Sequence, residues 1–142
     1  MARVLIPVDA SESSDRGVDY LIRVAGWLRD PIEVHLLNVQ HHIPYGRAVA
    51  SVAGDQVQKH YQEEGLAALK SARDRLDAAQ VPYEFHIGVG EPAEVIVRYA
   101  REKACDQIVM GTRGLGSVGG LLLGSVATKV LHLSGVPVTF VK

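Results

Sequence analysis

The segment VMGTRGLGSVGGLLLGSVATKV (residues 109–130) places six glycines between a short apolar run and a run with helical character. The glycine-rich connection contains no acidic residue and a single cation, Arg113. The apolar run ends a predicted strand at 106–111, and a helix is predicted from about 125 to 133. A glycine-rich connection from a strand to a helix is typical of the ligand-binding end of parallel α/β proteins.

The remainder of the chain alternates between strand-like and helix-like segments. Apolar runs rich in β-branched residues, without polar alternation, predict strands buried on both faces. The predicted strands are 3–9, 32–39, 81–87, 106–111 and 135–142. Helices are predicted within 10–31, 55–80, 93–103 and 125–133, and residues 40–54 are predicted to be a loop. The alternation predicts one α/β domain, residues 1–142, with a parallel sheet and helices on both faces.

Helix boundaries have their own signals. Ser11 or Ser13 is the expected N-cap of the first helix, and Pro31 closes that segment. Pro92 suits the first position of the third helix. If the second helix is continuous through Gly65, this residue weakens it by about 1 kcal/mol relative to alanine.

The composition excludes several classes of protein. The 142 residues are 47% hydrophobic, with a formal net charge of -1 and a pI ≈ 6.6, so no overall basic field attracts nucleic acid or a membrane. Cys105 is the only cysteine, which excludes an intramolecular disulfide and a cysteine-based zinc motif. The first apolar run, Val4 to Val8, is too short for a signal peptide or a membrane span. We therefore expect a cytoplasmic globular protein that binds neither nucleic acid nor membrane.

The junction between the glycine-rich loop and the last helix has the chemistry of an anion site. A helix N-terminus offers unpaired N–H groups and a partial positive charge. Glycine allows the backbone to approach phosphate oxygens closely and to adopt positive φ. The sequence therefore favours a phosphate-containing ligand held mainly by main chain.

Two common phosphate motifs match this loop only in part. Gly114, Gly116 and Gly119 spell G-x-G-x-x-G, but they do not open the helix directly after its strand, and no acidic residue follows about 20 positions later. Gly119 and Gly124-Ser125 approximate a P-loop, but the lysine is missing and no strand precedes the motif. Both interpretations are therefore disfavoured.

A third pattern covers the whole loop. Gly111, two residues, Gly114, nine residues and Gly124-Ser125 resemble the G-2x-G-9x-G-[S/T] signature of nucleotide-binding members of the universal stress protein family. The resemblance continues in collinear order through VLIPVDAS (4–11), LLNV (36–39), VGEPAEVIVRYA (89–100), DQIVMGTRG (106–114), LLLGSVATKVL (121–131) and VPVTFVK (136–142). It implies a three-layer α/β sandwich of the Rossmann-like, adenine nucleotide alpha hydrolase-like type, with five parallel strands in the order 3-2-1-4-5.

The resemblance also implies where an adenine nucleotide binds. Asp9 would face the ribose, Pro7 and Val8 would line the base, and the main chain of Val39 would meet the adenine edge. The complete set of expected nucleotide-binding residues is Pro7, Val8, Asp9, Val39, Met110, Gly111, Gly114, Gly124, Ser125 and Val126.

The same resemblance assigns the phosphates to the glycine-rich loop. Gly111 and Gly114 would let the backbone pass close to the ribose and the first phosphates. Gly124, Ser125 and Val126 would present N–H groups at the start of the last helix, and the Ser125 hydroxyl would be a further donor.

The implied ligand is ATP, ADP or AMP, with any Mg²⁺ held mainly by the phosphates because Asp9 is the only acid expected near the site. No catalytic residue is predicted, since phosphoryl transfer requires charge neutralisation and an oriented nucleophile that the loop lacks. The interpretation is a stress-response regulatory protein that changes conformation or partners with nucleotide occupancy. The alternatives are a slow ATPase or adenylyl-transfer enzyme on the same fold, and an adaptor that binds no nucleotide.

The last predicted strand suggests self-association. VPVTFV (136–141) is apolar on both sides and would lie at the edge of the sheet. Proteins that resemble this chain commonly dimerise through that strand about a two-fold axis. We expect a homodimer, and a further protein partner that the sequence does not identify.

Simpler roles exist for some of these residues. Asp9 is also suited to cap the first helix, and Ser125 caps the last helix whether or not a ligand binds. Arg113 is either close to a phosphate or an exposed cation. Cys105 is predicted to be a buried, small apolar residue rather than a reactive thiol.

The histidines do not predict a metal site. His41 and His42 are adjacent, so they point in different directions, and no third ligand is evident nearby. The other histidines are isolated in the sequence and are predicted to be packing or surface residues: His35, His60, His86 and His132.

Overall fold

The computed structural model describes residues 1–44, 47–114 and 122–142, with the backbone alone over 47–53. The described strands are β1 (Ala2–Pro7), β2 (Ile32–Gln40), β3 (Tyr83–Val89), β4 (Gln107–Gly111) and β5 (Val138–Val141). The described helices are α1 (Glu12–Trp27), α2 (Arg47–Ala78), α3 (Pro92–Glu102) and α4 (Ser125–Leu133). Strands and helices therefore alternate along the chain as the sequence predicts.

The five strands form one parallel sheet in the order β3-β2-β1-β4-β5. The chain first builds outward from β1 through β2 to β3, and then crosses to the other side of β1 to build β4 and β5. The strand order therefore reverses between β1 and β4, which confirms the predicted topology. Ligands of doubly wound sheets bind outside the carboxyl ends of the strands at such a reversal.

Each face of the sheet is covered by its own apolar core. Alternate residues of β1 point to opposite faces, so Val4 and Ile6 join one core and Leu5 joins the other. The first core includes buried residues of α1 and α2: Val18, Leu21, Leu69, Ala72 and Leu76. The second includes buried residues of α3 and α4: Ala93, Val95, Ile96, Ala100, Ala127 and Val130. The result is a three-layer sandwich in which β1 is buried on both faces.

The start of α2 differs from the sequence prediction. Residues 40–54 were expected to be a loop, but the helix begins at Arg47. The segment RAVASVAG contains three alanines and no proline, so intrinsic propensity favours a helix although apolar periodicity is weak. The prediction of a loop over 47–54 is therefore wrong.

Helix caps follow the sequence closely. Ser11 is the N-cap of α1, where its hydroxyl accepts the N–H of Ser14 at 3.1 Å. Pro92 occupies the first position of α3, and the Glu91 carboxylate before it accepts the N–H of Glu94 at 2.9 Å. Among the described helices, none combines the length and the hydropathy of a membrane-spanning segment.

Candidate functional site

A cavity of about 550 Å³ lies at the carboxyl end of the sheet, where the strand order reverses. Its volume is within the range of about 300–1,000 Å³ typical of small-molecule sites. The structure brings all ten expected residues to its wall: Pro7, Val8, Asp9, Val39, Met110, Gly111, Gly114, Gly124, Ser125 and Val126. Residues far apart in the sequence therefore meet at one site.

The connection from β1 to α1 forms one wall of the cavity. The Asp9 carboxylate accepts the N–H of Ser11 at 3.0 Å, and the intervening Ala10 has φ 67, in the left-handed region. A non-glycine residue in that region is uncommon and is retained where neighbouring contacts enforce it. Ser11, rather than Asp9, caps α1. The turn leaves Asp9 on the cavity wall.

The N-terminus of α1 packs directly against the end of β4. The Ser13 hydroxyl, 4% exposed, accepts the N–H of Arg113 at 3.1 Å. A β-carbon at Gly111 would lie 2.5 Å from the carbonyl carbon of Ser13, and one at Gly17 would lie 3.7 Å from the Gly111 nitrogen. Gly111 is therefore required for helix–strand packing, a role that the sequence analysis did not identify.

The end of β2 is held by a buried asparagine. Asn38, 3% exposed, donates its side-chain amide to the carbonyl of Val8 at 2.8 Å, and Gln40 donates in turn to the Asn38 side-chain oxygen. The Val8 N–H donates to the carbonyl of Leu37 at 2.8 Å. The sequence signal for Asn38 is a polar residue inside the apolar run LLNV, and its structural role was not predicted.

The main chain of Val39 is directed toward the cavity side of β2. Leu37 bonds toward β1, whereas Gln40 bonds toward Gly90 beyond β3. Because successive residues of a strand bond to alternate sides, Val39 faces the β1 side, past the point where β1 ends at Pro7. The ladder of β1 and β2 pairs residues only as far as Leu37, so Val39 lies beyond it.

The N-terminus of α4 forms the opposite wall. Gly124 is the N-cap, with extended backbone and no side-chain hydrogen bond, and its N–H donates to the carbonyl of Thr112 at 2.6 Å. The N–H groups of the first helical turn have no acceptor within their own helix, and after the N-cap they belong to Ser125, Val126 and Ala127. The main-chain donors that this end can offer to a ligand are therefore those of Ser125, Val126 and Ala127 rather than that of Gly124.

The cavity wall has further members that the sequence analysis did not single out for binding. Together with Asp9, the ionisable side chains of the described cavity wall are His41, Glu64 and Arg113. Additional lining residues are Ala10, Ser14, Leu37, Asn38, Gln40, Ala67, Ala68, Pro92, Ile96 and Ala127. Two glycines of the competing motifs, Gly116 and Gly119, lie outside the described residues.

Other candidate residues have distinct outcomes. Cys105 is 5% exposed, and burial, reinforced by the Asp106 carboxylate, raises the pKa of its thiol to about 11. The predicted burial of Cys105 is confirmed. His35 is buried, as expected for a packing residue, and its Nδ1 lies 3.0 Å from Nε2 of His86 on the neighbouring strand.

The fold is that of a doubly wound parallel α/β protein with a cavity at its switch point. The sequence model of the universal stress protein family matches residues 1–142, and the chain belongs to this family. Universal stress protein YxiE of Bacillus subtilis (strain 168) is 29% identical over 149 residues, which cover 99% of this chain and 98% of YxiE.

Two solved structures are similar over nearly the whole chain. The structure of MJ0577 has a TM-score of 0.82 and 28% identity, and the match covers 99% of this chain and 95% of MJ0577. A universal stress protein solved in complex with cAMP has a TM-score of 0.63 and 28% identity, with 99% of this chain and 95% of that protein covered.

Proposed function

We propose that the chain is an adenine-nucleotide-binding regulatory protein whose conformation or partner set changes with occupancy by ATP, ADP or AMP. The observation that carries the proposal is the convergence of the expected residues on one cavity at the switch point, between the end of β1 and the start of α4. The structural similarity to a universal stress protein that binds cAMP supports an adenine compound as the ligand.

The cavity supplies complementary groups for each part of a nucleotide. The Val39 main chain offers both a donor and an acceptor to an adenine edge, since it lies past the last β1–β2 pair. The Asp9 carboxylate suits the ribose hydroxyls. The Ser125 and Val126 amides, with the Ser125 hydroxyl, suit phosphate oxygens at the positive end of α4.

A divalent ion would depend mainly on the nucleotide. Asp9 and Glu64 are the acids on the described cavity wall, and they come from different elements, β1–α1 and α2. Mg²⁺ in nucleotide sites usually retains several waters and takes substrate phosphates with one or two carboxylates. We therefore propose that Mg²⁺ arrives with the phosphates rather than in a protein cage.

We propose regulation in a stress response because the described cavity wall presents groups that can bind a nucleotide. It does not present the charge-neutralising groups and the oriented nucleophile that phosphoryl transfer requires. A lysine is missing from that part of the wall, which has a single arginine, Arg113. A bound nucleotide would change the conformation of the connection after β4, where the Gly124 N–H donates to the carbonyl of Thr112. Phosphate at the start of α4 would act directly on that junction.

The test is calorimetric titration of the tag-free protein with ATP, ADP, AMP and cAMP in the presence of Mg²⁺. Ser125→Ala is expected to weaken ATP binding by about 1–3 kcal/mol, because a donor to a charged oxygen is lost. Ser134→Ala, at the other end of α4, is the matched control and should bind as the native protein does. Absence of affinity for every adenylate would refute the proposal, and rapid turnover in a timed hydrolysis assay would replace regulation by catalysis.

We also propose a homodimer formed through β5. In the described sheet β5 pairs with β4 on one side only, so its other edge is available for pairing. An antiparallel partner about a two-fold axis would continue the sheet across two copies. Nucleotide-dependent partners would then meet a dimeric surface.

A further inference from the structure

Four ionisable side chains cluster on one face of the sheet, away from the nucleotide cavity. His35 of β2 pairs in register with Glu84 of β3, and His86 follows Glu84 by two residues on the same face. Glu33 precedes His35 by two residues and shares that face. None of the four lines the cavity. Their proximity depends on strand register, so it is invisible in the sequence.

Three of these side chains direct a ligand atom to a common point. Nδ1 of His35 lies 3.0 Å from Nε2 of His86 and 3.3 Å from a carboxylate oxygen of Glu84. Within residues 1–44, 47–114 and 122–142, this is the one group of three such side chains whose ligand atoms all lie within 4.8 Å of one another.

Two of the three separations between ligand atoms are close to those around a tetrahedral metal ion, and the third is at most 4.8 Å. Zinc bound at 2.0–2.1 Å from each nitrogen places neighbouring ligand atoms about 3.3–3.4 Å apart, as the edge of a tetrahedron. The His35–Glu84 separation already has that length, and the two imidazole nitrogens need to separate by only a few tenths of an ångström. Two imidazoles and one carboxylate are also a ligand set that zinc accepts.

The opposite nitrogen of His35 is held as in metal-binding histidines. Nε2 of His35 lies 2.7 Å from a carboxylate oxygen of Glu33, and Arg3 donates to the other Glu33 oxygen at 3.2 Å. A carboxylate on the far nitrogen fixes the imidazole tautomer and orientation, which leaves the near nitrogen as a lone pair. Nδ1 of His35 would then present a lone pair 3.3 Å from the Glu84 carboxylate and 3.0 Å from Nε2 of His86, and a metal ion between the three groups would bind all of them.

Exposure is graded across the cluster. The His35 side chain is 2% exposed, whereas that of Glu84 is 65% exposed on the edge strand β3. Tyr99 of α3 packs its ring against His86, with 5.7 Å between ring centroids. An ion at this point would thus have a buried ligand on one side and solvent access on the other.

We propose that His35, His86 and Glu84 bind a zinc ion, with Glu33 positioning His35 and with a fourth coordination position open to solvent. The site is separate from the nucleotide cavity and does not depend on the function proposed for it. Three protein ligands and one open position distinguish it from a closed four-ligand structural site.

The test is titration of tag-free protein with Zn²⁺ without nucleotide, together with the visible absorption spectrum after addition of Co²⁺. We expect one equivalent of Zn²⁺ to bind and Co²⁺ to give the intense bands of a four-coordinate ion. Glu84→Gln and His86→Gln should each weaken Zn²⁺ binding at least tenfold. His132→Gln, an exposed histidine of α4, is the control and should leave affinity unchanged.

Glu84→Gln keeps the test decisive because Glu84 is exposed and its loss leaves the core intact. Glu33→Gln should weaken binding by about 10–100-fold without changing the stoichiometry, as for other outer partners of a ligating histidine. Zn²⁺ binding of equal strength in the native protein, Glu84→Gln and His86→Gln would overturn the proposal. The proposal would also be overturned if the native protein bound no Zn²⁺ and the ¹⁵N shifts of His35 showed a proton on each of its two nitrogens.

Discussion

Gly114 lies against Asp9 so closely that a β-carbon at position 114 would overlap the Oδ2 atom of the Asp9 carboxylate. The other carboxylate oxygen is held by the Ser11 N–H at 3.0 Å, so the side chain has little freedom to move away. The φ angle of Gly114 lies outside the left-handed region, and the glycine is therefore required for space rather than for conformation. Two segments 105 positions apart, the loops after β1 and β4, meet at this contact.

Gly114→Ala should therefore reduce nucleotide affinity by displacing either Asp9 or the loop after β4. We expect a loss of at least tenfold, equivalent to about 1.4 kcal/mol. Calorimetric titration with ATP measures the change, and thermal unfolding checks that the fold is retained. Gly135→Ala is the matched control, because nothing in the described structure lies within 4 Å of a β-carbon there. Equal affinity in both variants would argue against Asp9 as a ligand-contacting residue.

Two glycines of α2 should respond to alanine in opposite directions. A β-carbon at Gly65 would lie 2.6–2.8 Å from three side-chain atoms of Ile87, both γ carbons among them, so the branched side chain cannot turn away. Gly65→Ala should lower the free energy of unfolding by about 1–3 kcal/mol, because this overlap outweighs the gain in helix propensity that the sequence alone predicts for alanine. Gly54 has no described atom within 4 Å of such a carbon, so Gly54→Ala should raise it by about 0.5–1 kcal/mol. Urea unfolding compares the two, and stabilisation by Gly65→Ala would contradict the packing argument.

The overall topology was predictable because it depends on information carried by each segment. Unbroken apolar runs such as Val4 to Val8 identify buried parallel strands, and the glycine signature orders them through the family resemblance. The cavity wall follows from that order, since the carboxyl ends of β1 and β4 must adjoin where the order reverses.

Contacts that depend on register were not predictable from the sequence. The pairing of His35 with Glu84 requires knowing how β2 aligns with β3, and the bond from Asn38 to Val8 requires knowing where β1 stops. The packing role of Gly111 was not predictable for the same reason, because its close neighbour Ser13 lies almost 100 residues earlier in the chain. Local pattern identifies elements, whereas side-chain partners across elements are set by packing.

The edge of β5 gives a test of dimerisation. Pro137 and Val141 direct their carbonyls toward β4, where they accept from Ile108 and Thr112 at 3.0 and 3.3 Å. Val138 therefore directs its main chain outward by alternation. Val138→Pro removes an outward donor while preserving the ladder with β4, and should weaken the dimer at least tenfold by sedimentation equilibrium. Val138→Ala retains the donor and should remain dimeric. A native protein that is monomeric at micromolar concentration would refute the dimer.

Glu91 joins the cap of α3 to α4. Burial raises the pKa of Glu91, but the N–H groups of Glu94 and Ala93 and the Lys129 ammonium, 3.3 Å away, outweigh it, so that the pKa lies below its ordinary value. A depressed pKa means that the stabilisation is present above the unfolded pKa and is lost as pH falls through the folded pKa.

Glu91→Ala should cost about 1 kcal/mol of stability at neutral pH, the typical cost of removing a capping side chain. The difference from the native protein should narrow below about pH 4, where the carboxylate becomes protonated. Chemical denaturation at several pH values measures it. Glu94, which also pairs with Lys129, is more exposed than Glu91 and is not the N-cap. Glu94→Ala should therefore lower the free energy of unfolding less than Glu91→Ala does. A pH-independent cost for Glu91→Ala would exclude a charged cap.

Cys105 should make the protein sensitive to alkaline pH. Burial raises the pKa of the folded thiol from 9.0 to about 11, with Asp106 adding to the effect. Because the unfolded chain releases the proton first, the unfolded state binds fewer protons between these pH values, and stability must fall as pH rises from about 9 to 11. Cys105→Ala keeps a small buried side chain and should remove this part of the alkaline loss of stability.

The reactivity of the thiol gives a second measurement. Alkylation of the native protein should be slow at neutral pH and accelerate toward pH 11, because the thiolate is the nucleophile. Fast alkylation at neutral pH would show that the thiol is accessible. An identical loss of stability at alkaline pH in Cys105→Ala would show that Cys105 is not the titrating group.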